Sequence, residues 1–264
     1  MEKRHTEHPD KELVASCFKA SATTYDGNAV VQRGISRNLV KLLSQFTNIG
    51  YSRVLEIGCC TGILTEMLCE SAAINTLFVN DLVPDYCLHT RERILRRVKA
   101  VQLYPGDIEK VVLPHDLDLV VSSSTLQWIA DLPNLIYNIA AALHRNGHLA
   151  FSIFSPGTMG EISTLTGRGL HYHTGEELAA ILAKDFNVLS VHEEKMQLVF
   201  PSLQKVLQHI RQTGVGGLGK VRWNLRELRD FERRYTAQYA TEEGLPVTYN
   251  SIFVVAEKRK ERIR

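Results

Sequence analysis

The residues best placed to do chemistry stand in one run, Val54-Leu55-Glu56-Ile57-Gly58-Cys59-Cys60-Thr61-Gly62. An apolar strand that enters Gly58-x-x-x-Gly62 and then a helix lets backbone approach a ligand closely at the carboxyl edge of a sheet. In a dinucleotide enzyme such a turn and helix start hold a pyrophosphate. Two features argue against that ligand. Cys60 stands where the middle glycine of G-x-G-x-x-G would be, and the acid Glu56 precedes the first glycine. A carboxylate there repels a pyrophosphate but accepts hydrogen bonds from an ammonium, directly or through water.

Two more acids follow at matching places. Asp81 ends the next apolar run, where a carboxylate can accept from both hydroxyls of a ribose. Asp107, in Gly106-Asp107-Ile108, follows the third run and can take the amino hydrogen of an adenine while Ile108 packs on the ring. Each aspartate has an ordinary alternative, capping the helix after it. Three acids after three successive strands, at the edge where such sheets bind ligands, favour a nucleoside carrying an amino-acid group, which is S-adenosylmethionine. Cys59, Thr61, Leu82 and Ser123 complete the candidate cofactor set, with Tyr25 expected to close over it.

The elements that must position these residues are legible as a change of period. Leu13, Val14, Cys17 and Phe18 share one helical face, and Val31, Ile35, Leu39, Leu42, Leu43 and Phe46 share another. Thr24-Tyr25-Asp26-Gly27 reads as the break between them, with Asn28 as cap. Short apolar strands then alternate with helices: strands over 53–57, 76–81, 101–104, 117–122 and 148–154, helices over 86–99 and 132–144. This pattern predicts a parallel sheet wound on both sides. A helix over 175–184, an extended run 186–200 and a last strand 247–257 follow. Between those strands one helix starts at Pro201, turns Leu203, Val206, Leu207 and Ile210 inward, and stops at Gly214. A second has Asn224 and Glu227 as a cap pair, with Leu225, Leu228, Phe231 and Tyr235 on one face.

Composition excludes several classes. The 264 residues carry a formal net charge of +2, which does not demand a nucleic-acid partner. No apolar run reaches the roughly 20 residues that span a bilayer. Residues 1–11 are charged and lack a secretory apolar stretch. The five cysteines are odd in number and include no C-x-x-C pair, so they read as reduced thiols of a cytoplasmic protein. His171 and His173 lack a third ligand in any motif and read as a solvated loop, so no metal is expected.

Residues 51–155 resemble the class I methyltransferases, whose α/β, Rossmann-like fold implies a seven-stranded, mostly parallel sheet with the last strand antiparallel. A narrower resemblance covers nearly the whole chain: it is similar to the malonyl-acyl carrier protein O-methyltransferases of biotin synthesis. It rests on Phe18-x-x-x-Ala22-x-x-Tyr25-Asp26-x-x-Ala29-x-x-Gln32, on Ser122-Ser123-Ser124-Thr125-Leu126-Gln127-Trp128, and on Phe151-Ser152-Ile153-Phe154 with Glu161. Phe200-Pro201-Ser202, Thr213-Gly214-Val215 and Pro246-Val247-Thr248-Tyr249 complete it. Asn250 departs from an expected histidine, and the stretch 163–173 looks shortened. The resemblance implies a helical cap over the cofactor (1–50), a core (51–200 and 246–257) and a helical lid (201–245).

Methyl transfer from a sulfonium is an in-line displacement, for which a protein supplies orientation and a dry pocket. A malonyl carboxylate is ionised near neutrality and needs no general base, so no catalytic acid or base is assigned. Gln32, Gln127 and Trp128 are expected at the acceptor pocket beside Tyr25, with Arg33, Arg168 and Arg211 as candidate carboxylate partners. From residue 203 to 235 eight Lys/Arg face three acids, a balance of +5. Arg222, Arg226, Arg229 and Arg233 there suit docking of an acidic acyl carrier protein bearing a malonyl-phosphopantetheine arm. The chain reads as a monomer. Two other readings stay open: methylation of a free small acid or quinone precursor, and a non-catalytic, methyltransferase-like assembly factor.

Overall fold

Strands covered on both faces need no polar side, and the central strands here are almost continuously apolar for that reason. The computed structural model describes residues 9–47, 50–214 and 224–260. Helices α1 (Lys11–Ser21), α2 (Tyr25–Asn28) and α3 (Val30–Leu43) come first. Then follow β1 (Gly50–Ile57), α4 (Ile63–Ser71), β2 (Ala73–Asp81), α5 (Pro84–Ile94), β3 (Ala100–Pro105), β4 (Leu117–Ser123), α6 (Leu132–Ala142) and β5 (Leu143–Phe154). The chain continues through α7 (Gly160–Thr166), α8 (Gly175–Leu182), β6 (Phe186–Phe200), α9 (Leu203–Gln212), α10 (Leu225–Tyr239) and β7 (Leu245–Lys258).

The seven strands make one sheet in the order β3-β2-β1-β4-β5-β7-β6, with six strands parallel and β7 antiparallel, as expected. From β1 the chain winds outward through β2 and β3, then returns to lay β4 on the other side of β1. The order therefore reverses at the β1–β4 pair, and the carboxyl ends of these two strands form the crevice where such sheets bind ligands. Register fixes who meets there: Ile57 lies between Asn80 and Ser122, and Asp81 lies beside Pro105.

The chain divides into two compact units. One comprises Val30–Ile153, Thr174–Glu193 and Ile252–Arg264, and holds the apolar core between the sheet and helices such as α6 and α8. The other comprises Met1–Ala29, Phe154–His173 and Glu194–Ser251. Its own interior is more polar. Tyr235 donates to the Pro246 carbonyl at 2.6 Å, His209 Nε2 and the Tyr249 hydroxyl lie 2.9 Å apart, and the buried Glu161 carboxylate accepts from the amide and hydroxyl of Thr248.

Several local expectations need correction. Tyr25–Asn28 is a helical turn rather than a break, and Asn28 is no cap, because its side-chain amide donates back to the Thr24 carbonyl at 2.6 Å. The helix expected to reach Lys99 ends at Ile94; the next residue, Leu95, is exposed, so no apolar face continues it. Phe46 lies beyond α3 and is exposed. α9 starts after Ser202, whose hydroxyl caps it, and it buries His209 along with Leu203 and Val206, leaving Leu207 and Ile210 half-buried. The Asn224–Glu227 capping box on α10 is present, but Leu225 precedes the first buried turn and points to solvent.

Candidate functional site

The last turn of β1 carries Glu56 into the interior, where it is 1% exposed. Neither of its carboxylate oxygens meets a donor in hydrogen-bonding geometry among the described residues, although the Thr65 hydroxyl lies near enough to act on it. Burial pushes this carboxyl up to about 8, against a smaller downward pull from Thr65 and with a further rise from the charge of Asp81. Thr65, on α4, and Thr61, at the turn, bury hydroxyls that also lack partners among the described residues. A buried polar group left this way is costly. The cost is removed when a cation with its own hydrogen-bond donors enters, which is what an ammonium brings.

The turn that follows is built for close approach. Gly58 and Gly62 adopt φ of 74° and 83°. A β-carbon at Gly58 would stand 2.2–2.7 Å from three side-chain atoms of Thr125, so the turn after β1 and the segment after β4 meet with room only for hydrogen. The amides of Gly58 and Cys59 both donate to the Asn80 carbonyl, at 2.8 and 2.9 Å. The Cys59 thiol is buried beside Cys87, and burial holds it well above the usual thiol range. No disulfide joins any of the five cysteines among the described residues.

Asp81 does not cap α5, whose cap residue is Val83 with no side-chain cap bond; it ties the glycine turn to the start of the next segment. Its two oxygens accept from the amides of Val83 and Cys60, each at 2.8 Å. A carboxylate has about four acceptor sites, so two remain. Burial pushes this acid up to about 6, the two amide donors opposing the rise. Leu82 beside it is half-buried. Asp107 accepts from the Glu109 amide at 3.2 Å, and Ile108 is buried in the sheet's apolar core.

At the end of β4, Ser123 Oγ accepts from Ser36 of α3 at 3.2 Å and from Ser152 of β5 at 3.0 Å. Ser124 follows at a left-handed φ of 53°, and its carbonyl accepts from Gln127 Nε2 at 2.6 Å. The Ser124 hydroxyl, Gln127 Oε1 and Gln32 Oε1 are buried without hydrogen bonds among the described residues. Gln32 lies one helical turn before Ser36 on the same face of α3. Trp128 is buried and Arg33 half-buried.

One unit therefore brings together Glu56, Gly58, Cys59, Thr61, Gly62, Asp81, Leu82, Asp107, Ile108, Ser123, Gln32, Arg33, Gln127 and Trp128. Tyr25, Arg168, Arg211, Arg226, Arg229 and Arg233 belong to the other. There Tyr25 is buried, its ring 6.4 Å from Phe18, and the five arginines are exposed. Arg222 lies outside the described residues. Sequence reasoning missed Thr65, Ser36 and Ser152. Thr65 had a signal, a hydroxyl on the apolar face Ile63–Leu64–Leu68 of the helix after the glycine turn.

A doubly wound sheet of this strand order, with an acid and a glycine turn at its reversal point, defines a class I, S-adenosylmethionine-dependent methyltransferase. Residues 55–151 match the family model described as a methyltransferase domain. Over 255 residues the chain is 38% identical to a malonyl-acyl carrier protein O-methyltransferase of Chlorobium phaeovibrioides, covering 95% of this chain and 98% of the relative. It is 35% identical to the protein of that name from Bacteroides thetaiotaomicron, covering 95% and 99%. The chain belongs to the malonyl-acyl carrier protein O-methyltransferase family. Among solved structures, it is similar in fold to the N-methyltransferase NodS of Bradyrhizobium japonicum in complex with S-adenosyl-L-homocysteine. That match has a TM-score of 0.51 and 17% identity, covering 85% of this chain and 86% of that one.

Proposed function

We propose that this enzyme methylates the free carboxyl group of a malonyl thioester carried on an acyl carrier protein, an early step in making the pimeloyl moiety of biotin. The cofactor half of the reading is supported by one observation above others, the buried Glu56 carboxylate at the glycine turn, whose oxygens meet no hydrogen-bond donor in bonding geometry among the described residues. The acceptor half is supported by the names of relatives matched along almost their whole length.

Glu56 receives the ammonium of the cofactor, with Thr61 and the turn Gly58–Gly62 along the amino-acid group. Asp81 uses its two remaining acceptor sites for the ribose hydroxyls, and Leu82, Asp107 and Ile108 frame the adenine. Cys59 and Ser123 shape the floor, and Tyr25 covers it. When bound, S-adenosylmethionine supplies an activated methyl group and its own leaving group. The protein's residues need only orient the acceptor and exclude water. Gln32, Gln127 and Trp128 line the acceptor side, and Arg33, Arg168 and Arg211 are the candidate partners of its carboxylate, which is already ionised and calls for no base.

In this reading residues 1–50 form a cap, 201–245 a lid, and Arg222, Arg226, Arg229 and Arg233 the docking face for the carrier protein. The enzyme acts as a cytoplasmic monomer. Mass spectrometry of malonyl-carrier protein incubated with the enzyme and S-adenosylmethionine tests the proposal. One added methyl on the malonyl group is expected; methylation of free malonate with none on the carrier-bound acid would favour a free-metabolite enzyme.

A further inference from the structure

The glycine turn is gripped from behind by α5. Arg93 Nη1 donates to the Thr61 carbonyl at 3.0 Å, while its Nε and Nη2 hold one oxygen of Glu66 on α4 at 3.0 and 2.7 Å. One helical turn earlier, Thr90 Oγ1 donates to the Cys60 carbonyl at 3.0 Å. A β-carbon at Gly62 would lie 3.1–3.3 Å from Thr90 and Arg93 atoms, so the turn is pressed directly against these two side chains. Cys60 itself sits at a φ of 47°, a region that a β-carbon makes costly. It stays there because its amide is held by Asp81 and its carbonyl by Thr90.

These contacts have a directional consequence. A trans peptide sets N–H opposite C=O. Turning the Cys60 carbonyl toward Thr90 therefore aims the Thr61 amide away from α5, and the Gly62 amide closes the turn on the Cys59 carbonyl at 2.8 Å. We infer that Thr90 and Arg93 are positioning residues: by holding two successive carbonyls backward, they present the Thr61 amide and hydroxyl, beside Glu56, to the amino-acid end of the cofactor. A simple tie of this segment to α4 does not account for Arg93, because Arg97, just beyond the end of α5, already bridges Glu66 and Glu70 of α4 at 3.0 and 2.5 Å.

The inference rests on the cofactor reading, and calorimetry of the full-length chain with S-adenosylmethionine separates the two. Arg93→Met and Thr90→Val should each weaken cofactor binding about tenfold, the scale of one hydrogen bond to a charged or buried partner. kcat at saturating cofactor and KM for the acceptor should stay within about twofold, and Arg93→Lys should regain part of the affinity. Glu66→Gln should leave affinity nearly unchanged, since Arg93 keeps the Thr61 carbonyl. Cofactor affinity unchanged in both Arg93→Met and Thr90→Val overturns the inference. So does a loss in Glu66→Gln equal to that in Arg93→Met, which would make the helix tie responsible. Should Arg93→Met lack a cooperative melt, Thr90→Val alone decides. If the unmodified protein binds no cofactor, the cofactor reading falls, and this inference with it.

Discussion

At the scale of single residues, Glu56 sets stability against binding. Its folded carboxyl is raised from the ordinary 4.5 to about 8, chiefly by burial. Between those values the fold keeps a proton that the unfolded chain has released. Unliganded stability therefore declines as pH rises through this window and levels off above about 8. Glu56→Gln removes that liability, so the unliganded variant should melt higher than the parent at pH 8 and similarly at pH 5, by scanning calorimetry. The same change should weaken S-adenosylmethionine binding by roughly 1–3 kcal/mol. In the parent, a cationic ligand favours the ionised acid, so binding at neutral pH should release protons. Titrations in buffers of different ionisation enthalpy read this directly, and the release should shrink in the variant. The types and spacing of Glu56, Gly58, Gly62 and Asp81 were legible because strand, acid and glycine turn are contiguous. Thr90 and Arg93 were not, because they reach the turn from a helix some thirty residues on, with no motif linking them. For Asp81, helix capping was the ordinary alternative, yet its oxygens hold the Val83 and Cys60 amides instead, and a carboxylate keeps acceptor sites beyond these two.

At the scale of elements, the sheet works because two turns touch. The turn after β1 can pass the segment after β4 only where Gly58 has no side chain. Gly58→Ala meets both a left-handed φ and a contact with the rigid, branched Thr125, and should destabilise the fold by about 2–4 kcal/mol in urea denaturation. Thr125→Gly in the same background should restore part of the loss, because it removes the side chain that the new methyl strikes. A merely local strain at Gly58 would show no such rescue. The strands were legible from apolar runs, but β1, β2 and β5 start earlier, at Gly50, Ala73 and Leu143, because polar residues such as Ser52, Asn75 and Asn146 interrupt the apolar run inside each strand. Helices were less legible at their ends. α5 stops where its apolar stripe stops, although Arg96–Lys99 keep good helix formers going. The seven-residue α7 offers too few turns for a periodic signal, so it was not foreseen.

At the scale of the whole molecule, charge is distributed in a way that neither fold nor cofactor site requires. The chain carries +2 in all, and residues 203–235 carry +5, so the remainder carries −3. On α10, Arg226, Arg229 and Arg233 recur at three- and four-residue spacing and lie exposed on one face, opposite the buried Phe231 and Tyr235. The identity of a partner was never legible in the fold, since one fold serves many reactions; it entered through resemblance along the whole chain. If these arginines meet an acidic carrier protein, they act mainly on encounter, through a field that salt screens within about 8–10 Å. Raising ionic strength should then raise KM for malonyl-carrier protein while hardly altering turnover of a short malonyl thioester that lacks the carrier. Reversing Arg226, Arg229 and Arg233 to glutamate should reproduce that split at low salt. Carrier-dependent kcat/KM should fall at least about tenfold, the range in which steering changes association rates, with S-adenosylmethionine affinity unchanged. Arg233 already pairs with Asp230 at 2.5 Å, so its single reversal should matter least of the three. Undiminished activity of the triple variant on malonyl-carrier protein at low salt would reduce this face to ordinary solvated surface and move the free-acid reading ahead.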